Sequence, residues 1–218
     1  MVTQRYIKAI IYLAVLIWTV VLLANHEAIK STWLAPLSIV TTVVLYAVMA
    51  FDLWLWKLPF LHGWFVKRPV IDGTWKVVFR ADYVNPTTQE PTPPIEGFML
   101  VKQTHSSLSM RLFTAESSSE LVGNDMVCAT DGSYCVSGVY RNEPRHEVRH
   151  RSPIHYGGLW LKVIERPNQE LIGHYWTDRK TAGEIELTKR QKQSFQTYQA
   201  AKLHFDQLPT PQISAPAN

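Results

Sequence analysis

Two hydrophobic patterns follow one another along the chain. In residues 6–24 only Lys8 is charged, and residues 31–51 contain no charged side chain. After about Trp56 apolar and polar residues alternate, as in residues 73–80 (Gly-Thr-Trp-Lys-Val-Val-Phe-Arg). Long apolar runs are typical of membrane helices, whereas a period of two is typical of half-buried strands. The pattern therefore predicts an N-terminal helical segment followed by a β-rich domain.

The two apolar runs match the thickness of a bilayer. At the α-helical rise they extend ~28 and ~31 Å, against a hydrocarbon core of ~30 Å. Polar residues 25–30 are long enough only for a tight loop, and Trp33, Trp54 and Trp56 bracket the second run as interfacial tryptophans do. We therefore predict a two-helix transmembrane hairpin in residues 1–58. The alternatives are two core helices of a globular protein and, for the first run, a signal peptide, although no clear A-x-A cleavage site follows it.

The distribution of lysine and arginine predicts the orientation of this hairpin. Cations lie before the first run and after the second: Arg5, Lys8, Lys57, Lys67 and Arg68. The connecting loop offers only Lys30. Because cytoplasmic flanks carry the excess of basic residues, we expect both termini in the cytoplasm.

The remainder of the chain is predicted to form an all-β domain. A connector with Pro59, Gly63 and Pro69 occupies residues 59–70. Alternation and turn residues, including Pro167-Asn168, place strands at 72–83, 95–104, 107–116, 119–130, 133–142, 153–165, 169–178 and 181–189. Eight strands without an internal helix favour an eight-stranded antiparallel up-and-down β-barrel over residues 71–190, with a sandwich as the alternative. Residues 191–218 are predicted to contain a short helix, within 191–205, and a disordered tail.

Composition and cysteine placement narrow the class of protein. The chain is 46% apolar and 18% charged, with a net charge of +4, a pI near 9.0 and two cysteines, which excludes a disordered chain and a disulfide-built mini-protein.

A two-residue Asp131-Gly132 turn would pair Cys128 with Cys135 across a hairpin. In the cytoplasm these thiols would stay reduced, as small apolar fillers.

One sequence matches a catalytic motif. Residues 146–150 read His-Glu-Val-Arg-His, the H-E-x-x-H pattern of zinc hydrolases. That motif needs a helix of several turns, whereas Pro144 and Pro153 bound this arginine-rich segment. We favour a solvated basic loop, with anion or membrane-surface contact as a further possibility and a zinc hydrolase as the last. No P-loop, G-x-S-x-G or C-x-x-C pattern occurs, so we predict no enzyme activity, catalytic residue, metal or cofactor.

Aromatic and cationic residues on the predicted strands could bind an anionic ligand inside the barrel. Aromatic rings stack on bases and cations hold phosphates. Tyr175, Thr177 and Arg179 share one face of their strand, while Trp176 lies on the other. If the first face points inward, the interior is a polar anion site; if it points outward, Trp176 fills the core. The candidate ligand-binding residues are Arg111, Tyr140, Lys162, Tyr175, Thr177 and Arg179.

The chain resembles a known family in three places. Two apolar helices precede residues 68–75 (Arg-Pro-Val-Ile-Asp-Gly-Thr-Trp), and residues 173–183 read Gly-His-Tyr-Trp-Thr-Asp-Arg-Lys-Thr-Ala-Gly. Together they resemble the two-transmembrane, β-strand-rich (SMODS-associating) effectors of CBASS, the bacterial cyclic-oligonucleotide antiphage systems. A Gly-x-Trp opening strand is also similar to that of unrelated lipocalin-type barrels.

The resemblance implies a receptor in the bacterial inner membrane. Its cytoplasmic barrel would bind a cyclic dinucleotide made by a partner CD-NTase nucleotide cyclase, with Tyr175, Thr177 and Arg179 in the ligand site. The ligand would induce a homo-oligomer whose helices disrupt the lipid bilayer and kill the infected cell. No DNA or RNA polymer is an expected partner. A membrane-tethered, lipocalin-like carrier of an apolar ligand is the alternative, and it requires a mainly apolar interior.

Overall fold

The chain divides into two compact units. They comprise Met1–Lys67 and Arg68–Asn218 in the computed structural model. Residues 2–24, 37–83, 89–165 and 169–208 are described by the structure. The predicted loop at 25–30, Trp33, the Pro167-Asn168 turn and the predicted tail from residue 209 lie outside the described residues.

The first unit contains two helices, α1 (Val2–Ala24) and α2 (Leu37–Leu53). Two short 3-10 turns follow, at Leu55–Lys57 and Pro59–Leu61. The side chain of Trp56 in the first turn is completely buried.

Within the described ranges, no helix combines the length and the apolar character needed to cross a membrane. The prediction of a transmembrane hairpin is therefore wrong, and so is the predicted multi-pass location in the bacterial inner membrane with cytoplasmic termini. Helix α2 has 17 residues, about 25 Å at the α-helical rise. Helix α1 has 23 residues, but its first two turns include Arg5 and Lys8. From hydropathy we predicted that the second helix begins at residue 31, whereas α2 begins at Leu37.

The second unit is a closed antiparallel barrel, and this part of the predicted fold is confirmed. Eight strands follow one another around it in chain order, and β8 pairs with β1. Closure excludes the alternative of a sandwich. The strands are β1 (Gly73–Ala81), β2 (Ile95–Gln103), β3 (Leu108–Thr114), β4 (Ser117–Cys128), β5 (Tyr134–Pro144), β6 (His155–Ile164), β7 (Glu170–Thr177) and β8 (Ala182–Gln191).

Alternation along the strands builds the interior. In β1 Trp75 and Val77 are completely buried, and in β6 Leu159 and Leu161 are nearly so. These residues belong to one hydrophobic cluster formed by all eight strands. Because successive side chains point to opposite faces, the intervening residues, such as Trp160, lie on the outer face.

One end of the barrel is closed by Trp75 and Arg190. The indole Nε1–H of Trp75 donates to the Ile71 carbonyl at 2.9 Å, and the Arg190 guanidinium lies 5.8 Å from the ring centroid. Arg190 also donates to the carbonyls of Val70 and Asp72 and pairs with the Asp72 carboxylate at 3.1 Å. Any cavity in the barrel must therefore lie toward the other end.

A short helix, α3 (Tyr198–Asp206), covers part of the outer surface of the barrel. Its residues Ala201 and Phe205 pack against Phe98 of β2. Thr197 caps its N-terminus by accepting the N–H of Ala200. The helix therefore stabilises one strand from outside and brings Tyr198 close to the barrel rim.

The two cysteines do not face each other. Cys128 pairs with Tyr134 and Val127 pairs with Cys135, so the predicted register is wrong by one residue. The connection spans residues 129–133 and is closed by a hydrogen bond from Ala129 N–H to the Ser133 carbonyl at 2.8 Å. A shift of one residue moves a side chain to the other face of the sheet. Both thiols are free.

Candidate ligand-binding cavity

A cavity of about 640 Å³ lies at the end of the barrel where β1, β3, β5 and β7 finish. All eight strands contribute to its wall. The volume falls within the range of small-molecule sites, roughly 300–1,000 Å³. Aromatic side chains along the wall are Phe79, Tyr83, Tyr140, Tyr175 and Tyr198.

Strand β7 presents its polar and aromatic face to this cavity. Tyr175 and Thr177 line it, whereas Trp176 is 52% exposed on the outside. The ring of Tyr175 meets Phe79 edge to face with centroids 5.4 Å apart. Burial raises the pKa of the Tyr175 hydroxyl, so this group is a neutral hydrogen-bonding group at physiological pH. The choice that alternation left open is thus decided in favour of an inward polar face.

The turn after β7 is fixed by hydrogen bonds within it and to β6. Thr177 N–H donates to the Thr181 carbonyl at 2.8 Å, and the two threonine hydroxyls lie 2.7 Å apart. Asp178 N–H donates to the Tyr156 carbonyl at 2.9 Å. The Asp178 carboxylate in turn accepts the Tyr156 N–H at 3.1 Å. These contacts set the position of the next residue, Arg179, at the cavity rim.

Within the described residues, the guanidinium of Arg179 has no acidic partner. Its Nη1 donates to the Ser152 hydroxyl at 3.1 Å, and its Nη2 lies 3.4 Å from Nε2 of His155. Arg179 is the single lysine or arginine among the lining residues that the structure describes. An unpaired cation at the mouth of a cavity attracts an anionic ligand.

The two carboxylates along the lining are paired with other cations. Glu96 forms an ion pair with Lys76 at 2.7 Å, and Glu116 pairs with Arg151 at 2.5 Å. Neither therefore neutralises Arg179.

A buried polar chain leads from the wall to Arg179. The Ser119 hydroxyl donates to Oδ1 of Asn142 at 3.1 Å, and Nδ2 of Asn142 lies 3.3 Å from Nε2 of His155. All three side chains line the cavity and are at most 8% exposed. Sequence reasoning missed them. Asn142 could have been found, because it lies two residues after Tyr140 on the same face of β5.

Tyr140 lies across the cavity wall because its neighbour on β6 is a glycine. Tyr140 pairs with Gly157 in the strand register, and a Cβ at Gly157 would clash with the phenol ring. The phenol O–H donates to the Trp176 carbonyl at 3.3 Å. Burial raises the pKa of Tyr140 to about 12. The ring therefore offers a neutral flat surface to a ligand.

Four of the six candidate residues come together in the cavity: Tyr140, Tyr175, Thr177 and Arg179. The other two lie outside its lining. Arg111 forms an ion pair with Glu120 of the neighbouring strand at 2.8 Å. Lys162 is exposed on β6.

The H-E-x-x-H segment forms part of the rim and not a metal-binding helix. His146–Val148 is a single 3-10 turn. Over the described residues, no three histidine, cysteine or acidic side chains are grouped as metal ligands. Ion pairs of Arg149 with Glu143 and of Arg151 with Glu116 hold the loop in place. Its residues Val148 and Ser152 line the cavity.

Two comparisons connect this barrel with known proteins. Residues 66–189 match the model of the family described as "Cap15, cyclic dinucleotide receptor domain". The chain is also 24% identical to CD-NTase-associated protein 15 of Staphylococcus schleiferi over 186 residues, which are 85% of this chain and 96% of that protein. These matches confirm the CBASS part of the sequence resemblance. The chain belongs to the family of Cap15 cyclic dinucleotide receptor domains.

Proposed function

We propose that this chain is a nonenzymatic receptor that binds a cyclic dinucleotide in the barrel cavity. One phosphate pairs with Arg179, and the bases lie against the aromatic walls. The observation that carries the proposal is the guanidinium of Arg179, which lies at the cavity rim without an acidic partner in the part of the chain that the structure describes. The family match supports the ligand class.

The energies of these contacts suit such a ligand. A hydrogen bond between charged partners contributes about 1.5–3 kcal/mol, and stacking of one base on an aromatic ring contributes about 1–3 kcal/mol. The hydroxyls of Tyr175, Thr177 and Thr181 add neutral polar groups to the lining. The alternative of a carrier for apolar ligands is disfavoured, because an apolar ligand would cover the Arg179 guanidinium without offering it a hydrogen-bond acceptor, and burying a charge in this way is costly.

The ligand is supplied, in this proposal, by a partner CD-NTase, and its binding favours an assembled state of the chain. A ligand shifts such an equilibrium only if it binds the assembled state more tightly. Helices α1 and α2 carry exposed large apolar side chains, including Tyr12 (70%), Leu16 (61%) and Tyr46 (64%). Surfaces of this kind pack against a partner chain or lipid. Membrane disruption and death of the infected cell are the proposed output.

The test is a calorimetric titration of the full chain with a panel of cyclic dinucleotides. We expect saturable binding of at least one member. Arg179→Ala should weaken it at least tenfold without lowering the melting temperature, because this exposed side chain forms no ion pair with any residue that the structure describes. Arg111→Ala, which removes a cation outside the cavity lining, is the matched control and should bind normally. Absence of binding by every member, or equal losses in both variants, would overturn the proposal.

A further inference from the structure

We propose that His155 is a positioning residue of this site: its neutral imidazole accepts a hydrogen bond at Nε2 and thereby directs the Arg179 guanidinium into the cavity. The inference rests on the proposed function. It gives a role in the ligand site to a residue that is not among the six sequence-predicted candidates and that the family match does not name.

The surroundings of His155 determine which ring nitrogen carries the proton. Nδ1 lies 3.0 Å from the Pro153 carbonyl oxygen. A carbonyl can only accept, so Nδ1 must donate and carries the hydrogen. In the neutral ring Nε2 then has a free lone pair. Nη2 of Arg179 lies 3.4 Å from this nitrogen, and because a guanidinium can only donate, Nε2 is its acceptor.

The polar chain on the other side contacts the same ring. Ser119 donates its hydroxyl to Oδ1 of Asn142, which turns the amide Nδ2 toward His155. That nitrogen lies 3.3 Å from Nε2 and 3.5 Å from Nδ1, so the amide packs against the ring without selecting one of the two nitrogens. The tautomer therefore follows from the Pro153 carbonyl and the Arg179 guanidinium. His155 is 5% exposed, so its ring is enclosed by these neighbours.

The two contacts of the Arg179 guanidinium leave most of its N–H groups for the ligand. Arg179 uses one N–H toward Ser152 and one toward His155. Across the described ranges its other three N–H groups meet no protein acceptor, and they can bind an anion. A long side chain held at two points loses less freedom on binding than a mobile one, so the histidine acts by preorganisation.

Protonation of His155 would remove this acceptor. From β5 the facing side chain is the uncharged Asn142, from the rim loop it is Ser152, and from the β7–β8 turn the charged groups acting on the ring are Arg179 and Asp178. A proton on Nε2 would face the Arg179 cation. Burial, and to a smaller extent Arg179, lowers the pKa of His155, while the hydrogen bond to the Pro153 carbonyl and, more weakly, Asp178 raise it.

The experiment measures the affinity of the full chain for the best cyclic dinucleotide between pH 5.5 and pH 8. The phosphodiesters stay ionised over this range, so the ligand does not change. We expect wild-type affinity to fall several-fold toward pH 5.5. His155→Gln, whose Oε1 can replace Nε2 as acceptor and does not titrate, should retain most of the pH 8 affinity and show no such decline. A rise in affinity at low pH would contradict the inference, since it would mean that a protonated histidine contacts the phosphate itself.

A second comparison separates positioning from a merely structural role. His155→Leu should weaken binding at least tenfold in the wild-type background and have little further effect in Arg179→Ala. Equal losses of affinity in the wild-type and Arg179→Ala backgrounds would refute the proposal that His155 acts through Arg179. If the wild-type chain binds the ligand and His155→Leu binds it with the same affinity, this inference alone is refuted. If the wild-type chain does not bind, the proposed function is refuted.

Discussion

The carboxylate of Asp178 accepts the backbone N–H of Tyr156 at 3.1 Å, and the Asp178 N–H donates to the Tyr156 carbonyl at 2.9 Å. This pair of hydrogen bonds joins the tip of the β7–β8 hairpin to the start of β6. Arg179 follows Asp178 directly, and His155 precedes Tyr156. The pairing therefore brings the cation and its acceptor to the same part of the cavity rim.

Removing the Asp178 side chain should loosen this connection. We expect Asp178→Ala to lower the free energy of unfolding by about 1 kcal/mol, because one hydrogen bond of an exposed side chain is lost. Ligand affinity should fall several-fold, since Arg179 would no longer be held beside His155. Asp178→Asn keeps an acceptor oxygen and should bind almost normally. Denaturant titration and calorimetry measure the two effects, and an unchanged affinity for Asp178→Ala would contradict this role of the turn.

Gly157 should be required for the position of the Tyr140 ring. Gly157→Ala would place a methyl group against both the phenol of Tyr140 and the backbone carbonyl oxygen of Trp176, and overpacking of this kind costs about 1–3 kcal/mol. Gly123→Ala is a suitable control, because a Cβ at Gly123 meets nothing within 4 Å. Thermal unfolding of both variants provides the measurement. A Gly157→Ala protein as stable as the control would show that the ring can move aside without cost.

Arg190 should contribute to stability and not to ligand binding. Its pairing with Asp72 and its position over Trp75 close the end of the barrel opposite the cavity. Arg190→Gln removes a half-buried charge from its partners, and we expect a loss of about 2–3 kcal/mol. The exposed pair of Arg80 with Glu186 provides the control, Arg80→Gln, with an expected loss below about 1 kcal/mol. Chemical denaturation distinguishes them, and weaker ligand binding by folded Arg190→Gln would contradict the assignment.

The lowered pKa of His155 predicts a pH dependence of stability. The ordinary value is 6.5, and burial shifts the pKa of the folded protein below it. Below pH 6.5 the unfolded chain therefore binds more protons than the folded chain, so this contribution to stability is present above pH 6.5 and declines as the pH falls. Wild type should lose more stability between pH 7 and pH 5 than His155→Gln. Parallel stability curves would show that His155 is not buried in its neutral form.

Much of the barrel could be predicted because strand alternation is a local property. The predicted strands 95–104 and 169–178 differ by no more than one residue at either end from the observed β2 and β7. The inward direction of Tyr175, in contrast, could not be predicted. Alternation separates two faces of a strand but does not say which one is inside, and only closure of the barrel decides this.

The features that sequence reasoning missed depend on contacts between distant residues. Asn142 and His155 are neighbours through the pairing of β5 with β6, and each is unremarkable in isolation. The predicted pairing of Cys128 with Cys135 assumed a two-residue turn. The actual connection is longer, at residues 129–133, and the strand pairing is therefore shifted by one residue. The transmembrane prediction was wrong because hydropathy does not determine where α2 begins and ends.

Photocrosslinking tests the location of the ligand most directly. The full chain is irradiated with a cyclic dinucleotide that carries an azido group on one base, with and without excess unlabelled ligand, and the modified residues are identified by mass spectrometry. We expect competable labelling of cavity residues such as Tyr140 or Tyr175. Competable labelling confined to the outward-facing Trp160 and Trp176, or to residues 2–67, would contradict it.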